Sequence, residues 1–279
     1  MAERRQHGRA GSAMALAGLM AGLWTGATGC TGGAAAEDAH GADPLETLHR
    51  AADALVEAGS SRTRTSMEMA TGGTRVTIHG TGVYDFTHQR GRLRVLLPQD
   101  PAGRADHRPI TELLSPGALF MKNRGAGVPP DKWVRVDTAT ISDGNLVTGG
   151  ATDPFTAAEV LRGAHRAEYV GTTTLDGTRV RHYRGTADLH RAAKAASPTT
   201  RAALTAAAKG FASPRVPFDA YLDAKGRIRK LEHRFSFVNG REQSPVSVAS
   251  TTCLYDFGSR ANVELPPEKD IYAGRIAED

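Results

Sequence analysis

After Ser60 the hydrophobic period of the chain becomes two, and this limits the possible folds more than any other feature. Thr63, Thr65, Met67 and Met69 alternate with polar neighbours, Gly72-Gly73 turns the chain into Val76, Ile78 and residues 83–86, and Gln89-Arg90-Gly91 turns it again into Leu93, Val95 and Leu97. Alternation puts one set of side chains on one sheet face. Turns this short join antiparallel neighbours, so the segment predicts a meander. Residues 109–114, 119–122 and 133–136 predict further strands, divided by Gly and Pro loops at 125–130.

The strands are interrupted by helices with readable starts. Asp43-Pro44 supplies an N-cap followed by proline at the first helical position, and Leu45, Leu48, Ala52, Leu55 and Val56 then recur at three- and four-residue steps before Gly59. Asp153-Pro154 opens a second helix carrying Phe155, Ala158, Val160 and Leu161. Residues 169–175 and 178–184 predict a hairpin about Asp176-Gly177. The alanine-rich stretches 188–196 and 199–209 predict two short helices broken at Ser197-Pro198 and ended by Gly210. Val216, Phe218, Ala220 and Leu222 alternate with polar neighbours, Asp223-Ala224-Lys225-Gly226 turns the chain into Ile228, Leu231, Phe235 and Phe237, and 246–257 forms a last strand. The expected class is α+β, and residues 44–279 form one domain, because no later linker interrupts the pattern.

The N-terminus carries a different signal. A basic stretch (Arg4, Arg5, Arg9), an apolar run over 13–24 and the small residues Ala27, Thr28 and Gly29 lead to Cys30. This is the layout of a secretory signal over 1–29, and the cysteine after it resembles a bacterial lipobox, with Ala27 where leucine is commoner. Cleavage there would leave an acylated Cys30 as the mature N-terminus, with diacylglyceryl and palmitate-type chains holding it to a membrane. The segment 30–43, with no apolar side chain larger than alanine, is a flexible tether. An ordinary cleaved signal or an uncleaved anchor are the competing readings of the same run.

Removing 1–29 deletes three arginines and Glu3, so the formal charge falls from +5 to +3. The basic residues are interleaved with acids and lack a clustered stripe with aromatic platforms, which excludes nucleic acid as a partner. With Cys30 acylated, Cys253 has no partner for an intramolecular disulfide and is expected as a packed thiol in its strand.

Residues 175–231 resemble a known family in order and spacing. Asp176-Gly177-Thr178-Arg179-Val180-Arg181-His182-Tyr183-Arg184-Gly185-Thr186-Ala187-Asp188-Leu189, the alanine-rich helices and Val216-Pro217-Phe218-Asp219-Ala220-Tyr221-Leu222-Asp223 are similar to the C-terminal half of the LppX and LprG group of LolA-like actinobacterial lipoproteins. The early part resembles them too, up to Gly82-Val83-Tyr84-Asp85, and 102–152 fits least. The resemblance implies a strongly curved antiparallel sheet, a half-barrel, with helices packed on its concave face and an apolar cavity between them that binds or carries a lipid. Val76, Ile78, Val95, Phe218, Leu222 and Phe235 are the candidate lining. Implied with it is a lipid-anchored place on the extracytoplasmic face of the cell membrane. A non-carrier role, contacting protein partners in sensing or regulation, is the alternative; such partners are unknown.

Catalytic chemistry has no visible machinery. The histidines lack a ligand-spaced pair, so no metal and no cofactor is expected. Ser142-Asp143-Gly144 only approximates a Ser-Asp-Asn element, and neither Ser-x-x-Lys, Lys-Thr-Gly nor Gly-x-Ser-x-Gly occurs. Gly80-Thr81-Gly82 lacks the third glycine of a nucleotide loop. The chain is not expected to be an enzyme.

Overall fold

The computed structural model describes residues 43–71, 74–98, 108–125, 127–147, 151–238 and 245–273. The signal, Cys30, nearly all of the tether and the Gly72-Gly73 turn lie outside the described residues. Residues 42–279 make one compact unit.

Two helices open it, α1 (Pro44–His49) and α2 (Ala51–Ala58), where the sequence predicts one. The Asp43 carboxylate accepts from Leu45 N at 3.0 Å and Pro44 follows as expected. The division falls at Arg50, whose backbone N–H is shared between the Glu46 and Leu48 carbonyls.

Six strands form the first meander: β1 (Ser60–Thr71), β2 (Thr74–Asp85), β3 (Arg90–Leu96), β4 (Ile110–Ser115), β5 (Ala118–Lys122) and β6 (Val134–Asp137). Helix α3 (Pro154–Val160), capped by Asp153, continues as a single 3-10 turn into β7 (Ala164–Leu175). β8 (Thr178–Asp188) follows through a turn in which Asp176 and Gly177 both take positive φ, 46° and 75°. Helices α4 (Leu189–Ala195) and α5 (Arg201–Gly210) precede β9 (Arg215–Leu222), β10 (Ile228–Val238) and β11 (Pro245–Tyr255).

All eleven strands join one antiparallel sheet in the order β6-β5-β4-β3-β2-β1-β11-β10-β9-β8-β7. It is a curved, unclosed half-barrel made of two meanders sewn together where β11 pairs with β1. The chain packs closely about β2 and β3. A Cβ on Gly82 would lie 1.9 Å from the Arg92 carbonyl oxygen, and one on Gly91 would lie 2.6 Å from the Tyr84 ring.

The concave face and the helices enclose one large core, with Leu48, Leu55, Phe86, Leu93, Phe155, Leu204 and Leu231 among its buried members. The convex face has its own smaller core, which sequence reading did not anticipate. Leu113, Ala118, Phe120 and Val263 are buried there, with Val83, Trp133, Leu265 and Ile271 packed around them. The C-terminal segment reaches this face through a parallel bridge between Trp133 and Ile271, with Trp133 N donating to Asp270 O and Tyr272 N to Trp133 O, each at 2.8 Å.

Candidate functional site

The pairing register brings the residues picked from sequence onto one face. Gly80 pairs with Val95, Met69 with both Val76 and Val248, and Val248 with Phe235, while Phe218 pairs with His233 and Leu222 with Ile228. Val95, Phe218 and Leu222 are completely buried, Phe235 and Ile78 are buried, and Val76 is half-buried against the same core. Phe235 stacks on Phe211, just beyond α5, with ring centroids 4.8 Å apart. The six therefore sit between sheet and helices.

The centre of this face is polar, which no single strand pattern reveals. Ser61, Thr63 and Thr65 follow one another down the concave side of β1; Thr252 lies opposite Thr65, and Ser250 opposite His233. All are at most 2% exposed. Ser250 Oγ meets Thr152 Oγ1 at 2.6 Å, and Thr152 in turn donates to the Leu146 carbonyl at 3.0 Å. Ser61 Oγ, Thr63 Oγ1, Thr65 Oγ1 and His233 Nε2 have no protein hydrogen-bond partner. Burial lowers the His233 imidazole to about 3, which keeps it neutral. On β4, Glu112 is fully buried on the same face, paired with Leu93 and Met121, and neither carboxyl oxygen has a hydrogen-bond partner. Its burial raises the carboxyl to about 8, against the opposing pull of Arg124.

One end of the core is built differently. Tyr84 is buried and Asp153 half-buried, the two are hydrogen-bonded to each other, and burial raises both groups. They line a cavity of about 20 Å³ with Asn145, Phe155, Thr156 and Thr200. That is room for about one water molecule.

Three larger grooves open elsewhere. A groove of about 420 Å³ is lined by Arg166, Glu168, Arg184, Phe218 and Arg234, and one of about 500 Å³ lies among Arg50, Asp53, Glu57, Arg181 and Lys225. The third, about 520 Å³, crosses β2, β3 and β4 and is lined by Thr81, Val83, Arg92, Arg94, Thr111 and Trp133. On the convex side of the second meander Asp219 accepts from His182 Nε2 at 2.7 Å, Arg184 Nε at 2.9 Å and Arg234 Nη1 at 3.3 Å. Although burial pushes its carboxyl up, these three donors hold it below the usual carboxylate range.

Cys253 stands on the convex side between Arg64 and Lys230, half-buried, and its burial raises the thiol. Among the described residues, no three His, Cys, Asp or Glu side chains are grouped to hold a metal ion.

No protein-family model and no curated protein matches the chain. It is similar in structure to the Mycobacterium tuberculosis lipoprotein LppX, at 11% identity and a TM-score of 0.42 over 80% of this chain and 100% of that one. It is similar also to LprF from Mycobacterium bovis, at 12% identity and 0.40 over 80% and 96% of the two chains. A LolA superfamily protein from Nitrosomonas europaea matches at 11% identity and 0.35 over 77% and 94%.

Proposed function

We propose that this chain is a cell-envelope lipoprotein, anchored through acylated Cys30 on the extracytoplasmic face of the membrane, that binds or carries a lipid or lipid-linked molecule between the concave face and the helices. The observation that carries the reading is the polar strip inside an otherwise apolar interior. Each buried polar group left without a partner costs about 1–3 kcal/mol. Ser61, Thr63, Thr65, His233 and Glu112 together make an interior poorly optimised for permanent closure. An amphiphile offers both things this interior contains, chains for Val95, Phe218, Leu222 and Phe235, and ester or hydroxyl groups for the strip. The helical cover is short-range: α1, α2, α3 and α4 are each eight residues or fewer, a length at which helices depend on packing rather than on their own stability. Displacing them is the step that admits the ligand, and no bond-making chemistry is part of the proposal.

Native mass spectrometry of residues 42–279, offered extracted membrane lipids, tests this. Retained lipid is the expected result; a chain that never retains lipid sinks the carrier reading. Cys30→Ala in the full chain should release the protein from membranes and leave lipid retention intact.

A second reading is favoured by one observation. All the candidate lining residues but Val76 are sealed in the core, and the enclosed space at its end amounts to about 20 Å³. A scaffold that contacts protein partners, in sensing or regulation, needs no larger space. Cross-linking in whole cells separates the two, since the carrier reading expects lipid adducts and the scaffold reading expects protein adducts.

A further inference from the structure

The convex face of the first meander carries a cationic groove that the interior lipid reading does not use. Its side chains fall in two cross-strand rows. Arg64 on β1 is level with Thr81 on β2, Arg94 on β3, Thr111 on β4 and Lys122 on β5; the neighbouring row runs Arg62, Val83, Arg92, Leu113. Arg62 has Asp256 at 3.7 Å, Arg64 lies over the Tyr255 ring at 5.3 Å, and Lys122 lies over the Trp133 ring at 5.5 Å. Arg92 and Arg94 are exposed, and among the described residues neither has an acidic partner within ion-pair distance. They stand two residues apart on one face of one strand, beside a groove of about 520 Å³ whose other walls are the hydroxyls of Thr81 and Thr111 and the apolar surfaces of Val83 and Trp133.

We propose that this groove is a docking surface for the anionic phospholipid headgroups of a membrane leaflet. Two guanidinium groups match phosphate oxygens as forked donors. Thr81 and Thr111 flank Arg94 and add hydroxyl donors on either side of it. Trp133 is half-buried, with its ring held between Lys122 and the C-terminal segment, and indole rings favour the headgroup level of a bilayer. Charge complementarity commits the occupant, because a cationic face with an apolar floor fits a surface that presents phosphate above glycerol and acyl carbon. The inference rests on the lipoprotein reading only for the nearness of a membrane. Interior lipid sits on the opposite side of the sheet.

The test uses residues 42–279, which contain the whole sheet and both cores. Trp133 is the only tryptophan of that unit, since the other tryptophan of the chain is Trp24. Its emission is titrated with phosphatidylcholine vesicles and with vesicles in which a third of the lipid is phosphatidylglycerol, in low salt and in 0.5 M salt. The expected result is a blue shift with the anionic vesicles alone, abolished by salt. R92Q/R94Q should bind about 30-fold more weakly, at about 1 kcal/mol per arginine near an anionic surface. R166Q/R179Q, which removes the same charge from exposed positions of β7 and β8, should bind as the parent does. No shift with anionic vesicles, or an equal loss in both double variants, overturns the proposal. Because native mass spectrometry reads interior lipid and Trp133 reads the convex face, either result can fail without the other.

Discussion

Thr200 and Glu159 are 41 residues apart in sequence, and the Thr200 hydroxyl donates to Glu159 Oε2 at 2.6 Å with both side chains buried. The same oxygen accepts from Ser197 N at 2.7 Å. Its partner, Oε1, accepts from Arg162 Nε at 2.8 Å, and Arg162 reaches on to Asp53 at 2.6 Å and 3.2 Å. One carboxylate on α3 thereby ties the α4–α5 connection, through Arg162, to α2.

Glu159→Ala removes that tie. It leaves the Ser197 amide unpartnered, leaves the Thr200 hydroxyl only its contacts with Ser197, and removes one of the four acceptors of Arg162. Breaking a buried charged network in this way costs about 3–5 kcal/mol. Chemical denaturation should show that loss, and amide exchange should rise across α2, α3 and the 197–200 turn; a loss under about 1 kcal/mol would mean the helices are held by apolar packing alone.

Gly82→Ala tests the close approach of β2 and β3. The added Cβ would meet backbone at 1.9 Å, and backbone cannot rotate aside as a side-chain tip can. Overpacking costs about 1–3 kcal/mol where neighbours can yield, and here the strands must separate, so the loss should reach or exceed the upper end. Gly117→Ala is the control, at a turn where a Cβ meets nothing within 4 Å and only the positive φ of 72° opposes it. Similar thermal stability for the two variants would refute the close-approach account.

Helix starts and the Asp176-Gly177 turn were legible because their chemistry is local: Asp43-Pro44 and Asp153-Pro154 each place an acceptor and a preset φ at the first turn. β9 was legible because it is amphipathic. β4 and β5 were bounded to within a residue, but which side of the sheet each side chain takes was not legible, and the reason is burial on both faces: Leu113 and Phe120 face the convex core while Leu114 and Leu119 face the concave one, which erases the two-residue alternation. The β1–β11 seam and the return of the C-terminal segment to Trp133 join residues far apart in sequence and leave no local trace. The polar strip was invisible for the same reason. Thr63 and Thr65 are ordinary strand residues until β11 sets Thr252 and Ser250 beside them.

Glu112 should make stability fall with rising pH between about 4.5 and 8. Its folded carboxyl titrates at about 8 and its unfolded one at the ordinary 4.5, so the folded chain holds a proton that the unfolded chain loses between those values. Its contribution is fully present below about 4.5 and fades as pH rises through about 8, with a limiting slope of about 1.4 kcal/mol per pH unit. Glu112→Gln keeps the shape and removes the proton. Denaturation midpoints of the variant measured from pH 5 to 9 should fall less steeply than the parent's, and parallel curves would remove Glu112 from the account.

His233 acts in the opposite direction, over a window that overlaps that of Glu112 between about pH 4.5 and 6.5, where the two slopes offset each other. Its folded imidazole titrates at about 3 and its unfolded one at 6.5, so between these values the unfolded chain binds the proton and the folded chain does not. Stability is complete above about 6.5 and declines as pH falls, again with a limiting slope of about 1.4 kcal/mol per unit. Asp219 adds to the acid loss at lower pH, because a carboxylate held below its ordinary range by His182, Arg184 and Arg234 gives up its contribution as pH drops through its folded value. The two separate by position on the pH axis. His233→Asn should remove the imidazole's share of the loss, so that its stability relative to the parent's rises as pH falls from about 6.5 to 4, with the fall below that left in place, whereas Asp219→Asn should lower stability throughout the neutral range by removing the acceptor of three donors. If His233→Asn instead reproduces the parent's acid limb, the imidazole is protonated inside the fold and the strip around Ser250 already holds a partner for it.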